Sequence, residues 1–212
     1  MEKLTAITAT ACPIDIVNLN TDQLIPVRFL KLPRAAGYGK FLLHDLRYDA
    51  LGHERPDFPL NRAAWREARI LVGERNFACG SSREGAVYAL MDWGIRCVIA
   101  PSFGDIFAGN AVQNGLLTAA VRDEEARALM AALWARPSAP VTVDLDAQTI
   151  ALGGETISFA IDPVRRLRLL NGWEDIDMTR SHASAIASFK AADRMRRPWA
   201  IPPATPVADP RS

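Results

Sequence analysis

The order of hydrophobic and polar positions divides the chain into a central part that alternates strands with helices and a later part made of short strands. In the first part, apolar runs predict strands within Leu4 to Val17 (one or two strands), at 69–72 and at 97–100. Helical spacing of apolar residues predicts helices at 83–93, with Ser82 before it and Gly94 at its end, at 105–113, and at 123–135, capped by Asp123. Strands that alternate with helices in this way are typical of a parallel α/β sheet.

The pattern changes after residue 140, where shorter apolar runs are separated by turn residues. These runs predict strands at Val141–Asp144, Thr149–Leu152 and Thr156–Ile161, and Gly153-Gly154 is a good hairpin turn between the last two. Helices are predicted at 163–170 and 181–195. We therefore predict a single domain over residues 1–197 that includes a C-terminal helical extension, and a disordered proline-rich tail over residues 198–212.

Residues 31–62 contain many glycines, prolines and charged residues and predict no long element. An irregular stretch of this length inside a compact domain is usually functional or mobile. Asn20-Thr21-Asp22, just before it, predicts a turn or a helix cap, and Pro26 limits any helix that follows.

Composition excludes several classes of function. The chain has 212 residues, is 49% hydrophobic and 23% charged, and carries a net charge of +1, so it lacks the basic excess of a general nucleic-acid binder. No run approaches the ~20 apolar residues of a membrane span, and no apolar run follows Lys3 as it would in a secretory signal. These observations predict a cytoplasmic protein with no nucleic-acid or membrane partner.

The cysteines and histidines predict no metal bound by this chain. Cys12, Cys79 and Cys97 show no Cys-x-x-Cys spacing, and the three histidines are far apart in the sequence. Unpaired cysteines of this kind also fit a reducing compartment.

The run from Asn76 to Glu84 is the best candidate for chemistry, because it joins a predicted strand to a predicted helix. Gly80 permits a tight turn and a close approach of a ligand to the backbone. The first N–H groups of a helix lack partners within it and lie at the positive end of its dipole, which suits an anion. Ser81, Ser82 and Arg83 add further donors, and an arginine can bind a carboxylate with two bonds. The run therefore predicts a carboxylate site with a serine beside it.

Simpler interpretations of the same run remain open at this point. Serine is an ordinary helix cap, and Arg83 and Glu84 can be plain surface residues. A serine hydrolase is disfavoured, because the Gly-x-Ser-x-Gly spacing is absent and the histidines give no hint of a triad.

The longer context resembles the swivel domain of aconitase-type hydro-lyases, and within them the small subunits of 3-isopropylmalate dehydratase. The matching segments cover roughly residues 11–187: Asn20-Thr21-Asp22, Phe29-Leu30-Lys31, Pro56-Asp57-Phe58, Gly73 to Glu84, Val98 to Phe107, Gly109-Asn110, Asn114 to Leu117, Arg165-Arg166 and Asn171-Gly172.

The resemblance implies a fold, a partner and a reaction. The implied fold is an aconitase-type swivelling β/β/α domain, a layered α/β arrangement with a partly open, barrel-like sheet and flanking helices. The implied partner is a large subunit that bears a [4Fe–4S] cluster, and the active site forms between the two chains. The implied reaction converts 2-isopropylmalate to 3-isopropylmalate through isopropylmaleate, a step of leucine biosynthesis, and its substrate is a small dicarboxylate.

The resemblance also implies roles for individual residues. Ser81 matches the base that removes a proton from the carbon beside a carboxylate. Ser82 and Arg83 match carboxylate-binding residues, and Arg34 matches a further arginine of the substrate pocket, with Asp22 as its orienting partner. The residues Phe29, Leu30, Lys31 and Leu32 lie where family members distinguish the side groups of their substrates, although the apolar ones could simply pack in the core.

Two departures from the family pattern affect the substrate. Gly85 stands where the family usually has histidine, and the stretch from Lys31 to Arg34 is shorter than usual. A related hydratase that acts on citraconate, dimethylmaleate or homoaconitate is therefore an alternative, as is a binding module that takes carboxylates without turnover.

Overall fold

A seven-stranded sheet organises the first part of the chain, with strand order β4-β3-β2-β1-β5-β6-β7. The structure is a computed structural model that describes residues 1–80 and 83–200. The strands are β1 (Ala6–Ile14), β2 (Ile70–Gly73), β3 (Cys97–Ala100), β4 (Leu117–Ala120), β5 (Pro140–Asp144), β6 (Thr149–Leu152) and β7 (Glu155–Ser158).

The α-helices of this part are α1 (Thr21–Leu24), α2 (His44–Arg47), α3 (Glu84–Trp93), α4 (Asp105–Gln113), α5 (Asp123–Ala135) and α6 (Pro163–Asn171). Short 3-10 helices lie at Val27–Lys31, Arg34–Ala36, Tyr38–Phe41 and Pro59–Asn61.

The sheet is parallel on one side of β1 and antiparallel on the other. β1 to β4 run parallel, and the register pairs Ala11 with Ile70 and Ile70 with Cys97. β5 runs antiparallel to β1, and β6 and β7 continue that half as a meander. Parallel neighbours need long crossover connections, which the helices supply, whereas β6 and β7 need only the Gly153-Gly154 turn.

The two edges of the sheet meet. Ala120 and Ala160 exchange backbone hydrogen bonds of 3.0 and 2.7 Å, so the β4 edge is joined to the residues that follow β7. This contact confirms the prediction of a layered α/β fold with a partly open, barrel-like sheet and flanking helices.

Alternate residues of the parallel strands face two separate apolar cores. Leu71 and Val98 point to the side of α3 and α4, where Phe77 and Phe107 also pack. Ile70 and Ile99 point to the opposite side, where α5 covers the sheet. Because alternate residues of the parallel strands face opposite sides, helices cover both faces of these strands. The ends of the strands are then occupied by the connecting loops.

The irregular segment between α2 and β2 is held by a buried arginine. Arg47 is only 2% exposed, and its guanidinium donates to Oδ1 of Asn61 (3.0 Å) and to the carbonyl oxygen of Leu42 (3.2 Å). It also lies 4.3 Å from the centre of the Trp93 ring, at the end of α3. Asn61 in turn donates to the carbonyl oxygens of Arg47 and Arg55. The network therefore ties a segment with little secondary structure to the central helix.

Residues from Asp175 onward form a second compact unit. Its described part contains helices α7 (Asp175–Ser181) and α8 (Ala183–Arg196) and a 3-10 helix at Pro198–Ala200. None of these described residues is buried. Among all described residues, no helix is long and apolar enough to cross a membrane.

Most predicted elements are present, with four differences in detail. β4 was not predicted, because two of its four residues, Ala119 and Ala120, are alanines, which are depleted in strands, and its conformation is set by pairing with β3. α7 was also not predicted. The predicted cap Asp123 is instead the first helical residue, and Glu125 reaches back to the N–H of the N-cap residue Arg122. The last predicted strand ends at Ser158 because Ala160 pairs with Ala120.

Other outcomes concern boundaries. α3 begins at Glu84, one residue later than predicted, and ends at Gly94 in the left-handed conformation, as predicted. The predicted cap Ser82 lies outside the described residues. Residues 201–212 of the predicted disordered tail also lie outside them.

Replacement of Arg47 by methionine should lower the free energy of unfolding by about 2–3 kcal/mol, because buried acceptors on Asn61 and Leu42 would lose their donor. Urea unfolding of the purified chain measures this change. The matched control is Arg122→Met, since Arg122 forms an ion pair with Glu124 and its side chain is 71% exposed. Equal losses for the two variants would contradict a special role for the buried network.

Candidate active site

Three loops meet at the edge of the sheet where the parallel strands end. The loop after β2 lies between its two neighbours, the loops after β1 and β3. The N–H of Thr21 donates to the carbonyl oxygen of Cys79 (3.1 Å), and the N–H of Phe77 donates to that of Ser102 (2.9 Å). Strand pairing thus continues past the ends of β1, β2 and β3. In open α/β sheets the carboxyl edge is also the usual place for ligands.

The 74–80 loop has an unusual backbone. Asn76, Ala78 and Gly80 have φ angles of 60°, 57° and 87°, in the left-handed region. Gly80 adopts this angle readily, whereas Ala78 is strained, and strain of this kind persists only where the surroundings enforce it. The constraint comes in part from Gly104, where a β-carbon would come within 3.0 Å of the carbonyl oxygen of Ala78.

Side chains from both neighbouring loops also hold the 74–80 loop. The backbone N–H of Asn76 donates to Oγ of Ser102 (2.8 Å), and its side-chain Nδ2 donates to Oδ1 of Asn18 (2.8 Å). Sequence reasoning missed Asn18 and Ser102. The available signal for Asn18 was its residue type, because asparagine tolerates the left-handed conformation that it adopts here (φ 57°).

Arg83 and Asp22 are brought together, whereas the prediction paired Asp22 with Arg34. Nε of Arg83 lies 2.9 Å from Oδ1 of Asp22. The N–H bond is not aligned with that oxygen, so the contact is an ion pair rather than a hydrogen bond. Asp22 is presented by α1, which the side chain of Asn20 caps by accepting from the N–H of Gln23 (2.8 Å).

Arg83 is the N-cap residue of α3, and its side chain makes no capping hydrogen bond. The guanidinium is therefore positioned at the positive end of the helix dipole, beside N–H groups that lack partners within the helix. Gly80 and Arg83 flank Ser81 and Ser82, which themselves lie outside the described residues. This end of α3 can bind an anion, and a carboxylate is the anion that an arginine recognises with two bonds.

Arg34 lies farther along α3 and does not meet Asp22. Its guanidinium donates to Oδ1 of Asp92 (2.9 Å) and its centre lies 3.9 Å from the centre of the Tyr88 ring. The hydrogen bond to Asp92 raises the pKa of Arg34 above its usual value. Asp92 follows Arg83 by nine residues, which is about 13 Å along a helix. The predicted orienting role of Asp22 toward Arg34 is therefore wrong, because Asp92 takes that role.

The four residues Phe29, Leu30, Lys31 and Leu32 divide into a packed pair and an exposed pair. Phe29 stacks on Phe41 with ring centres 4.1 Å apart, and Leu30 packs against the core beside Gly85. Lys31 and Leu32 are exposed, and the hydroxyl of Tyr38 donates to the carbonyl oxygen of Leu32 (2.8 Å). The packing alternative thus holds for the first two residues, and Leu32 is the apolar residue left in contact with solvent.

A cleft of roughly 260 Å³ opens between the 74–80 loop and the start of α4. Cys79 and Gly80 line one side of it, and Asp105 and Ile106 line the other. Ile106 is 63% exposed although it is a large apolar residue. The edge that carries the candidate site therefore also carries apolar surface.

The cysteines are placed too far apart to hold one cluster or metal. Cys12 and Cys97 belong to the two different cores on opposite faces of the sheet, and burial raises the pKa of both thiols. Cys79 is half-buried and its Sγ donates to the carbonyl oxygen of Asn18 (3.3 Å). In the part of the chain that the structure describes, no group of three His, Cys, Asp or Glu residues could hold a metal ion.

Comparison with known families agrees with this fold. The family model "Aconitase C-terminal domain" matches residues 1–124, and a second model, "LeuD_N", matches residues 127–163. The first match includes the 74–80 loop, Asp22, Arg34 and Arg83.

Named relatives cover nearly the whole chain. The 3-isopropylmalate dehydratase small subunit of Rhodospirillum centenum is 49% identical over 95% of this chain and 100% of its own length, and that of Dinoroseobacter shibae is 48% identical over 94% and 100%. The crystal structure of 3-isopropylmalate dehydratase from Methanocaldococcus jannaschii is similar, with a TM-score of 0.62 and 25% identity over 87% of this chain and 99% of that chain.

Thiol titration of the native chain should detect one fast-reacting thiol, that of Cys79, because the other two are buried and hard to ionise. Cys79→Ser should remove the fast phase, and denaturant should expose Cys12 and Cys97. Two fast thiols in the native chain would contradict the placement of the cysteines described above.

Proposed function

Because the chain belongs to the family of 3-isopropylmalate dehydratase small subunits, we propose that the carboxyl edge of its parallel sheet supplies the substrate-carboxylate site and the catalytic base of that hydro-lyase. The enzyme isomerises 2-isopropylmalate to 3-isopropylmalate through isopropylmaleate in leucine biosynthesis, and this chain is its small subunit. The proposed residue roles rest on the Arg83–Asp22 ion pair, which lies at the start of α3, shortly after the 74–80 loop.

Arg83 is proposed to bind a carboxylate of the substrate. Asp22 restrains the guanidinium from one side, and Arg83 stands where the N–H groups of the first turn of α3 attract negative charge. A carboxylate bound there is held by charge-assisted hydrogen bonds, which are shorter and stronger than neutral ones. Ser82 is proposed to add a further hydrogen bond to the same carboxylate.

Ser81 is proposed to be the base. It removes the proton from the carbon that carries the bound carboxylate, and the hydroxyl group leaves from the neighbouring carbon to give isopropylmaleate. A serine oxygen can act in this way only if its negative charge is stabilised, which helix N–H groups and the Arg83 guanidinium do in a site closed to water. Addition of the proton and of a hydroxyl group to these two carbons in the opposite arrangement gives the isomer, so that one water is lost and one is gained overall.

The partner is proposed to be a large subunit that holds a [4Fe–4S] cluster. When bound, that cluster supplies a Lewis acid for the departing hydroxyl group. The cysteines of this chain do not fit a cluster, since Cys12 and Cys97 lie in different cores. A cluster-bearing partner is thus the chemically consistent source.

The exposure of the site supports the need for that partner. The side chains of Arg83 and Asp22 are 32% and 50% exposed in the isolated chain, so water reaches the ion pair. Proton abstraction from carbon requires a site that excludes water. Val17 and Ile106, both exposed and both at the carboxyl edge, are proposed to lie against the large subunit as it closes the site.

Arg34 is proposed to contribute to the substrate pocket from farther along α3. Its pairing with Asp92 and its contact with the Tyr88 ring hold it beside that helix. We place the enzyme in the cytoplasm, where three unpaired thiols such as those of this chain are stable.

Replacement of Ser81 by alanine should lower turnover by about 10²–10⁴-fold, the usual contribution of a general base. The variant is purified, combined with its cognate large subunit after cluster reconstitution, and assayed by the loss of ultraviolet absorbance of isopropylmaleate. Ser158→Ala, an exposed serine at the end of β7, serves as the matched control and should retain activity. Carboxylate binding without turnover in the wild-type complex would instead favour a non-catalytic module.

Replacement of Arg83 by lysine keeps the charge but removes the planar pair of donors, so kcat/KM should fall by about 10–100-fold, mainly through a higher KM. Steady-state kinetics of the same complex measure this change. Arg75→Lys, an exposed arginine on the same loop, should leave both constants unchanged. A normal KM for Arg83→Lys would remove Arg83 from the carboxylate site.

A further inference from the structure

At the first turn of α3, the absence of a side chain at Gly85 leaves room for the side chain of Leu30. The side chain of Leu30 fills the space where a β-carbon at position 85 would be, and such a β-carbon would come within 3.0 Å of Leu30 Cδ2. Tyr38 and Ile25 lie within 4 Å of the same point, so the added β-carbon would be enclosed on several sides. Any larger residue at position 85 must therefore displace Leu30 or the segment that carries it.

This contact lies next to the proposed carboxylate site. Gly85 follows Arg83 by two residues, and α1, which presents Asp22, ends three residues before the start of the 3-10 helix that contains Leu30. The first turn of α3 therefore carries both the proposed carboxylate site and the contact with Leu30 of the 27–32 segment. That segment ends in Leu32, whose side chain is exposed and whose carbonyl oxygen is held by Tyr38.

We propose that Gly85 is a specificity-determining positioning residue, which lets Leu30 seat the 27–32 segment close to α3 and so sets the room for the side group of the substrate. This proposal rests on the proposed function, because it concerns the same site. Gly85 touches no substrate atom and acts through Leu30. The substrate class that fits is a dicarboxylate with an apolar side group, since the exposed Leu32 of the seated segment offers that group an apolar contact.

The test compares two substrates that differ only in their side group, isopropylmaleate and the methyl analogue citraconate. In the complex with the large subunit, Gly85→Ala should lower the ratio of kcat/KM for isopropylmaleate over citraconate by roughly tenfold or more, because a displacement near 1 Å is costly for the larger group. Gly109→Ala is the matched control, since Gly109 is also helical and has nothing within 4 Å of its added β-carbon. Its ratio should equal that of the wild type.

Rescue separates specificity from a general loss of structure. Leu30→Val removes the terminal methyl that the new β-carbon would meet, so Gly85→Ala should change the ratio far less when it is added to L30V. An unchanged ratio in Gly85→Ala, or an equal loss for both substrates in both backgrounds, would overturn the inference.

The failure of the inference can be distinguished from the failure of the proposed function. A wild-type complex that turns over neither substrate would refute the proposed function and this inference together. Normal wild-type turnover with strictly additive effects of L30V and G85A, on the ratio and on urea unfolding alike, would refute the inference alone.

Discussion

The backbone pairing that holds the 74–80 loop between its two neighbours is the constraint on which the site depends. Hydrogen bonds from Thr21 and to Ser102 continue the parallel ladder beyond the strands, so the loop leaves β2 in one direction only. Its left-handed residues are maintained by that pairing and by the close approach of Gly104. The start of α3, and with it Arg83, is therefore positioned by the sheet rather than by the loop's own preferences.

Charge is then arranged along α3 from both ends. At the first turn, Arg83 meets a carboxylate presented by α1, and at the last turn Asp92 binds Arg34 from the irregular segment. Both arginines are restrained by carboxylates of the chain and lie on the surface instead of in the core. A restrained, partly exposed arginine can still exchange part of its hydration for a ligand carboxylate, whereas the buried Arg47 serves only the fold.

Much of the fold could be predicted because its strands and helices show clear periods of two and 3.6 residues. The prediction of Cys97–Ala100 and Asp105–Gln113 was correct to the residue. β4 could not be found in this way, because an Ala-rich strand is defined by its neighbour and not by its own propensity. The helix cap at Arg122 was missed although its signal is local, since the N–H of Arg122 donates to the carboxylate of Glu125 three residues later.

The site was only partly predictable. The motif around Gly80 identified the loop and Arg83, but the partner of each arginine depends on which elements the tertiary fold brings together, and no spacing in the sequence encodes that Asp92 faces Arg34. Gly85 illustrates the same limit. As a sequence feature it is only a departure from the family pattern, and its physical meaning appears once Leu30 is seen to fill the space beside it.

The two backbone hydrogen bonds between Ala120 and Ala160 matter for the small subunit before it assembles with its partner. A chain made separately from its partner must remain dispersed while it waits, and unpaired strand borders are the surfaces through which such chains stick to one another. The pairing of Ala120 with Ala160 satisfies such groups at one point of the β4 border, within a single molecule. The loop-bearing rim is a separate face and stays available for a specific partner.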